Sequence, residues 1–332
     1  MGVHAIIGCG RVAGFHVTAA EASGIEVGYF VDPELDKAHS LAAKFNTPAK
    51  CVEDPMEAIS DPSVTSASVC VPHWLHTELA RSCLENGVDV IVEKPFGLSS
   101  NQITELSKLS KLRKRKLLVC YQHSFDPIVR RGLELLASDA IGRLIFANAN
   151  CFCRRDAAYY SGWRGTLVEE GGSALINQGI HSLHLLCEAV PDLTCTAAQI
   201  QTVELAQIIE TEETLTALLS SEYGTMGTLC CSNVTGQEWS ASAQFVGTAG
   251  QIDIHIGSAN RLVINGDEFV SAPPDGVNLS DFPSSYYGWN HIRLFRSFFS
   301  NNEAAQAKIE QTMRIAQHTL GVVEKAYEHA KK

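Results

Sequence analysis

The residues Glu93-Lys94-Pro95 follow directly on a short apolar run, Val88-Asp89-Val90-Ile91-Val92. Runs of this kind form strands covered on both faces. Open α/β sheets bind their ligands at the carboxyl ends of such strands, so Lys94 stands where chemistry is done. The proline forces an abrupt exit and holds the lysine on rigid backbone. Partial desolvation there lowers an ammonium pKa and suits it to proton transfer. Taken alone, a strand-end lysine serves equally as a solvated charge that discourages edge aggregation, so other residues must decide.

Two further groups supply the decision. Gly8-Cys9-Gly10-Arg11-Val12-Ala13 follows the apolar run from Val3 to Ile7 and opens a helix. Glycines there permit a tight turn and bring the N–H groups of a helix start up to a pyrophosphate. Asp32 ends the next strand, where a carboxylate accepts the ribose hydroxyls of NAD and repels the 2′-phosphate of NADP. Pro33-Glu34 supplies no compensating cation, and NAD is expected in preference to NADP. Further along, Gly171 to His181 passes from glycines that allow close backbone approach into a helix. Asn177 and His181 are four apart and share one helix face. An imidazole there can take an alcohol proton as hydride leaves, with Lys94 bonded to the same oxygen; which of the two coupled groups is the formal base stays open.

The elements that position these groups fall into two halves. Residues 1–121 alternate strands (Val3 to Ile7, Ile25 to Val31, Ala67 to Val71, Val88 to Val92, Lys116 to Tyr121) with helices (ending near Ser23, then Leu35 to Phe45, Thr77 to Asn86, Ser100 to Lys111). That rhythm predicts a doubly wound parallel sheet, a Rossmann domain. Residues 122–332 change character, with a helix near Pro127 to Ser138, a strand from Leu144, and short strands from Thr194 onward separated by turns. Asn265-Gly266-Asp267 is a strong hairpin signal. An antiparallel meander follows, so the second domain is α+β with a large, mostly antiparallel sheet. A long amphipathic helix from Glu303 to Lys331 closes the chain as core or interface packing, and can lie back on the first domain.

Composition narrows the partners. The formal net charge of −11 argues against nucleic acid and anionic membrane, and the one basic run, Lys108 to Lys116, sits at a helix end where it complements the dipole. Eleven cysteines, with no Cys-x-x-Cys pair, suit reduced thiols in a cytoplasm. No signal peptide or membrane span is expected.

With Lys94 and the glycine loop in place, the chain resembles the Gfo/Idh/MocA (glucose–fructose oxidoreductase, inositol dehydrogenase) oxidoreductases along nearly its whole length. Gly8 to Ala13 is similar to their nucleotide loop, Glu93-Lys94-Pro95 to their signature lysine, and Pro72-x-x-x-His76 to their Pro-Asn-x-x-His segment, with His73 replacing asparagine. Tyr121-Gln122-His123-Ser124-Phe125 stands where relatives usually carry Asn-Arg, and Gly247 to Gly250 fits a late turn. Trp163-Arg164-Gly165-Thr166 followed by Gly171 to His181 is the most specific match.

The resemblance implies NAD(P)-linked oxidation of a sugar or cyclitol hydroxyl, with Lys94 and His181 catalytic and no metal. It implies cofactor contacts from Gly8, Gly10, Arg11, Val12 and Asp32 in the first half of the loop region. Pro72, His76, Glu93, Lys94 and Gln122 follow, and Trp163 with Arg164 lies against the dinucleotide. Substrate contacts fall to Lys94, His123, Tyr160, Asn177, His181 and His291, the last within Tyr286-Tyr287-Gly288-Trp289-Asn290-His291. Relatives often carry aspartate at position 177 and after the catalytic histidine, where this chain has Asn177 and His184. The Asn-Gln-Gly-x-His form is similar to that of nucleotide-sugar 3-dehydrogenases. A nucleotide sugar reacting at C3 is therefore the expected substrate. A cyclitol or free-sugar dehydrogenase, or a non-catalytic NAD-binding sensor, is the alternative. The pairs His181/His184 and His73/His76 would need to converge to hold zinc, and hydride transfer needs none. Resemblance also points to a homodimer or homotetramer.

Overall fold

A computed structural model describes residues 2–277 and 288–331. Apolar strands from the first half form a six-stranded parallel sheet in the order β3-β2-β1-β4-β5-β6. These are β1 (Val3–Ile7), β2 (Val27–Val31), β3 (Lys50–Val52), β4 (Val64–Val69), β5 (Asp89–Val92) and β6 (Leu117–Val119). Helices α1 (Ala13–Glu21), α2 (Leu35–Phe45), α3 (Pro55–Ile59), α4 (His76–Glu85) and α5 (Ser100–Arg113) connect them. Val90, Ile91 and Val92 are wholly buried, as a strand covered on both faces requires. The edge strand β3 and the short α3, started by proline with Asp54 capping it, gave no periodic signal because three and five residues are too few to show one.

The second sheet has eight strands in the order β14-β13-β12-β11-β7-β10-β9-β8. Its members are β7 (Leu144–Arg154), β8 (Thr194–Gln201), β9 (Thr214–Ser220), β10 (Met226–Ser232), β11 (Val234–Gly247), β12 (Gln251–Ile256), β13 (Arg261–Ile264) and β14 (Asp267–Val270). Asn265 and Gly266 both adopt positive φ, 50° and 100°, as the tight β13–β14 hairpin demands. The expected meander holds on each wing but not at the centre. There β7 lies between β10 and β11, parallel to the first and antiparallel to the second. The chain leaves β10 at Ser232, opposite Phe152, rounds the end of β7, and returns with Trp239 opposite Cys153. Asn233 secures that bend by accepting from Arg155 N and donating to the Tyr160 hydroxyl (2.8 Å) and Ser173 Oγ (3.0 Å).

Helices α6 (Pro127–Ala137) and α7 (Ile180–Ala189) cover one face of this sheet, while Leu218 and Met226 remain exposed on β9 and β10. Two helices tie the halves together. The helix α8 (Asn290–Phe299), which the sequence reading did not identify, packs Ile292, Phe295 and Phe298 into the core with Val17 and Ala20 of α1. The closing α9 (Glu303–Ala330) lies on α5, α7, β6 and β8, so it does reach back to the first sheet. All eleven cysteines are free thiols.

Candidate active site

The carboxyl ends of β1, β2, β4 and β5 surround a cleft of about 350 Å³. Gly8 turns the chain out of β1 at φ +91°, and a Cβ there would come within 2.6 Å of the Cys70 carbonyl oxygen. Only glycine fits. Gly10 has nothing within 4 Å of its Cβ position, leaving the mouth of α1 open, and no acidic residue occupies the first turn of that helix. Asp32 fixes the loop by accepting from Cys9 N (2.9 Å) and Glu34 N (2.9 Å). An open helix start, a glycine cradle and a carboxylate fit a dinucleotide. Arg11, Val12, Pro72, His76, Glu93 and Lys94 line the same cleft, and Trp163 with Arg164 forms its far wall. The Arg164 guanidinium lies 4.7 Å from the Trp163 ring centroid. Lys37 also reaches the rim, paired with Glu34, a cation the Pro33-Glu34 reading did not include. His76 braces the wall, with Nδ1 2.6 Å from the Pro95 carbonyl oxygen and Nε2 2.8 Å from that of Val71.

Lys94 closes the inner end. Its ammonium donates to the Asn177 backbone oxygen (2.6 Å) and to Asn177 Oδ1 (3.1 Å). Burial lowers the Lys94 pKa, and the Glu93 and Glu170 carboxylates oppose that shift. Asn177 lies in a π-helical turn, Ala174–Gly179, that leads into α7. Asn177 and His181 both line a small chamber that shares Lys94 and Asn177 with the cleft. Glu212 anchors the turn by accepting from Ser173 N (3.1 Å) and Leu175 N (3.0 Å).

Gln122, His123, Gln178 and Trp239 complete the chamber. Gln122 thus sits on the chamber rather than the dinucleotide cleft. Burial, together with the charge of Lys94, holds His181 well below the ordinary histidine pKa, and its Nδ1 has no hydrogen-bond partner among the described residues. His123 stands edge-on to it with centroids 5.1 Å apart, lowered to about 3 chiefly by burial, and its Nδ1 is 3.1 Å from Asn260 Oδ1.

Two expected substrate contacts fall elsewhere. Tyr160 is packed against Leu205 and Ile209, its hydroxyl committed to Ser173 and Asn233. It is Tyr159 that lines the cleft, accepting from Gln178 Nε2 at 2.9 Å. His291 is wholly buried behind Glu93, its Nε2 3.6 Å from Glu93 Oε1 and its ring stacked on Phe15, so it lines neither cavity. Tyr286 and Tyr287 lie outside the described residues. His184 turns away from the chamber, stacks on Tyr121 at 3.8 Å and meets Thr319 Oγ1 at 3.2 Å. Glu170 and Glu212, both buried behind the site, carried no sequence signal, since each is half of a Glu-Glu pair in a turn-rich stretch, which reads as solvated charge.

Fold and cleft define an oxidoreductase with a dinucleotide-binding Rossmann domain. The sequence matches the family profiles described as "Oxidoreductase family, NAD-binding Rossmann fold" over residues 3–121 and "GFO/IDH/MocA C-terminal domain" over residues 129–253, and the chain belongs to this family of NAD(P)-dependent dehydrogenases. Among relatives, a trans-1,2-dihydrobenzene-1,2-diol dehydrogenase of Mus musculus is 26% identical over 267 residues, 78% of this chain and 77% of that one. A scyllo-inositol 2-dehydrogenase (NAD(+)) of Bacillus subtilis is 23% identical over 259 residues, 75% of this chain and 72% of that one. Among solved structures, the WlbA dehydrogenase of Bordetella pertussis, in complex with NADH and UDP-GlcNAcA, superposes with a TM-score of 0.81 at 21% identity, covering 99% of this chain and 96% of that one. A levoglucosan dehydrogenase in complex with NADH and levoglucosan gives 0.80 at 16% identity, covering 99% and 98%. No helix among the described residues is long and apolar enough to cross a membrane.

Proposed function

We propose that this chain oxidises a secondary hydroxyl of a sugar, or reduces the matching ketone, with NAD, and that the sugar is carried on a nucleotide and reacts at C3. The observation that carries the chemistry is the convergence of Lys94, Asn177 and His181 on one chamber beside the cleft. NAD held in the cleft by Gly8, Gly10 and Asp32 would supply the hydride acceptor for the carbinol carbon, or in reduced form the hydride donor for the ketone. Lys94 has three N–H donors and spends two on Asn177, leaving one for the substrate oxygen. His181, neutral because its pKa is lowered, accepts the hydroxyl proton. Trp163, Arg164 and Tyr159 line the cleft beside Lys94 and Asn177.

Trp239 supports the nucleotide-sugar reading. It belongs to the chamber wall and also to a groove of about 480 Å³ lined by His255, Ser258 and Arg261, room for a substituent too large for the chamber. The overlay with WlbA is consistent with this, whereas the levoglucosan and inositol enzymes favour a free sugar or cyclitol. A panel of nucleotide sugars, free sugars and cyclitols, followed by NADH absorbance, separates these readings. Turnover confined to free sugars would replace the nucleotide-sugar reading, and tight NAD binding without any turnover would leave the sensor. The free thiols suit a cytoplasm, and the exposed Leu218 and Met226 on the open sheet face suit a homodimer or homotetramer.

A further inference from the structure

Asn177 presents a puzzle that its immediate contacts do not solve. An amide can face Lys94 with either its oxygen or its nitrogen, and only the oxygen accepts from an ammonium. The Asn177 Nδ2 donates to Glu170 Oε1 at 2.5 Å and lies 3.3 Å from the Tyr159 hydroxyl. The other Glu170 oxygen accepts from Gly165 N, in the loop that carries Trp163 and Arg164, and its backbone carbonyl accepts from His73 Nδ1 at 2.9 Å. Glu170 is wholly buried. A buried carboxylate is retained only where its oxygens are satisfied, and here both are engaged with donors that an uncharged acid would satisfy less well.

We propose that Glu170 is the positioning residue of this site: its carboxylate orients the Asn177 amide so that Oδ1 and the main-chain oxygen both receive the Lys94 ammonium. A negative charge reaches Lys94 through a neutral relay instead of by direct contact. The same carboxylate ties the cofactor-side loop at Gly165 to the catalytic turn, so it sets the width between the two walls. Protonated, Glu170 becomes a donor, favours the flipped amide, and turns Asn177 Nδ2 toward Lys94, donor against donor. The charge of Lys94 acts on His73, His76, His123 and His181, and that of Glu170 on Tyr160. Glu212 and Arg164 face Glu170, while Glu93, Glu170, Cys151 and Arg155 act on Lys94. Burial raises Glu170 to about 7, so the orienting form is gained near neutral pH.

This inference rests on the dehydrogenase reading, and its test is built to stand without it. The pH midpoint of Lys94 is read by competitive acylation with an amine-reactive reagent and mass spectrometry, independently of turnover. In Glu170→Gln the Lys94 midpoint falls by about one unit, and kcat on a panel substrate falls about tenfold while the NAD dissociation constant holds. A glutamine cannot accept from both Asn177 and Gly165, so it does not substitute. The double variant Glu170→Gln/Asn177→Asp supplies a carboxylate directly to Lys94 and restores both the midpoint and most of kcat. Glu170→Asp, one methylene shorter, replaces Glu170→Gln if the latter does not fold, and shifts the midpoint in the same direction. An unchanged Lys94 midpoint in the folded single variants, or a folded double variant no better than Glu170→Gln, overturns the proposal. If the wild type turns over nothing, the dehydrogenase reading fails and the labelling midpoint still decides the role of Glu170.

Discussion

Lys94 Nζ reaches both oxygens of a single residue, the main-chain oxygen of Asn177 at 2.6 Å and its Oδ1 at 3.1 Å. One partner is backbone in a π-helical turn and cannot be mutated away; the other is a rotatable amide. The lysine lies just beyond β5 of the first sheet and the asparagine in the turn that leads into α7 on the second, so the contact also registers the two halves of the chain against each other.

Replacing Lys94 by alanine removes the donor to the substrate oxygen without touching Gly8, Gly10 or Asp32. The expected result is a loss of kcat of about a thousandfold with NAD affinity preserved. Single-turnover assays and NAD fluorescence quenching measure the two quantities, and near-normal turnover would sink the mechanism.

His181 and His184 are three residues apart and should behave oppositely. His181→Asn removes the proton acceptor and lowers kcat about a hundredfold with little change in melting temperature. His184→Ala leaves a cavity against Tyr121 and Thr319, destabilising the fold by about 2–4 kcal/mol while the folded enzyme keeps its kcat. Paired thermal melts and kinetics would show whether the order is reversed.

Glu170 also leaves a mark on stability. Its carboxyl is raised from 4.5 to about 7 in the folded protein, so the folded state binds more protons in between. That contribution is fully present below pH 4.5 and is lost as pH rises through about 7, amounting to on the order of 3 kcal/mol. Urea melts from pH 4.5 to 8 should show Glu170→Gln lacking this decline; parallel wild-type and variant curves would contradict it.

Metal content offers a direct check behind the site. His16, Glu93, Cys120 and His291 bring donor atoms within 4.8 Å of one another. The His16–Glu93 contact of 2.9 Å is a hydrogen bond, tighter than ligands spread tetrahedrally around zinc at roughly 2.0–2.3 Å from each. The expectation is therefore a hydrogen-bonded knot, with metal below stoichiometry by mass spectrometry and turnover unaffected by EDTA. Stoichiometric zinc that survives gel filtration would reassign the cluster.

Local pattern made the first half legible. Gly8, Gly10, Asp32 and Lys94 are each tied to the end of a strand whose apolar run announces it, and a parallel strand delivers its carboxyl end to one edge of the sheet. The helix α2 and the strand β1 fall where their periodicity puts them. The centre of the second sheet was not legible, because inserting β7 between β10 and β11 is a long-range pairing that leaves each strand's alternation unchanged. The helix α8 was hidden by its mixed surroundings: its apolar face meets α1, far away in sequence.

The sequence by itself determined that a dinucleotide cleft would exist and that Lys94 would stand at its edge, since both follow from strand ends and a glycine loop. It also placed Asn177 and His181 near each other. Only the tertiary structure decided which neighbour lines the cleft and the chamber: Tyr159 over Tyr160, His181 over His184, and His291 withdrawn behind Glu93. In irregular turns the side-chain direction has no local period, and hydrogen bonds from distant residues, chiefly Asn233, Glu212 and Glu170, set it.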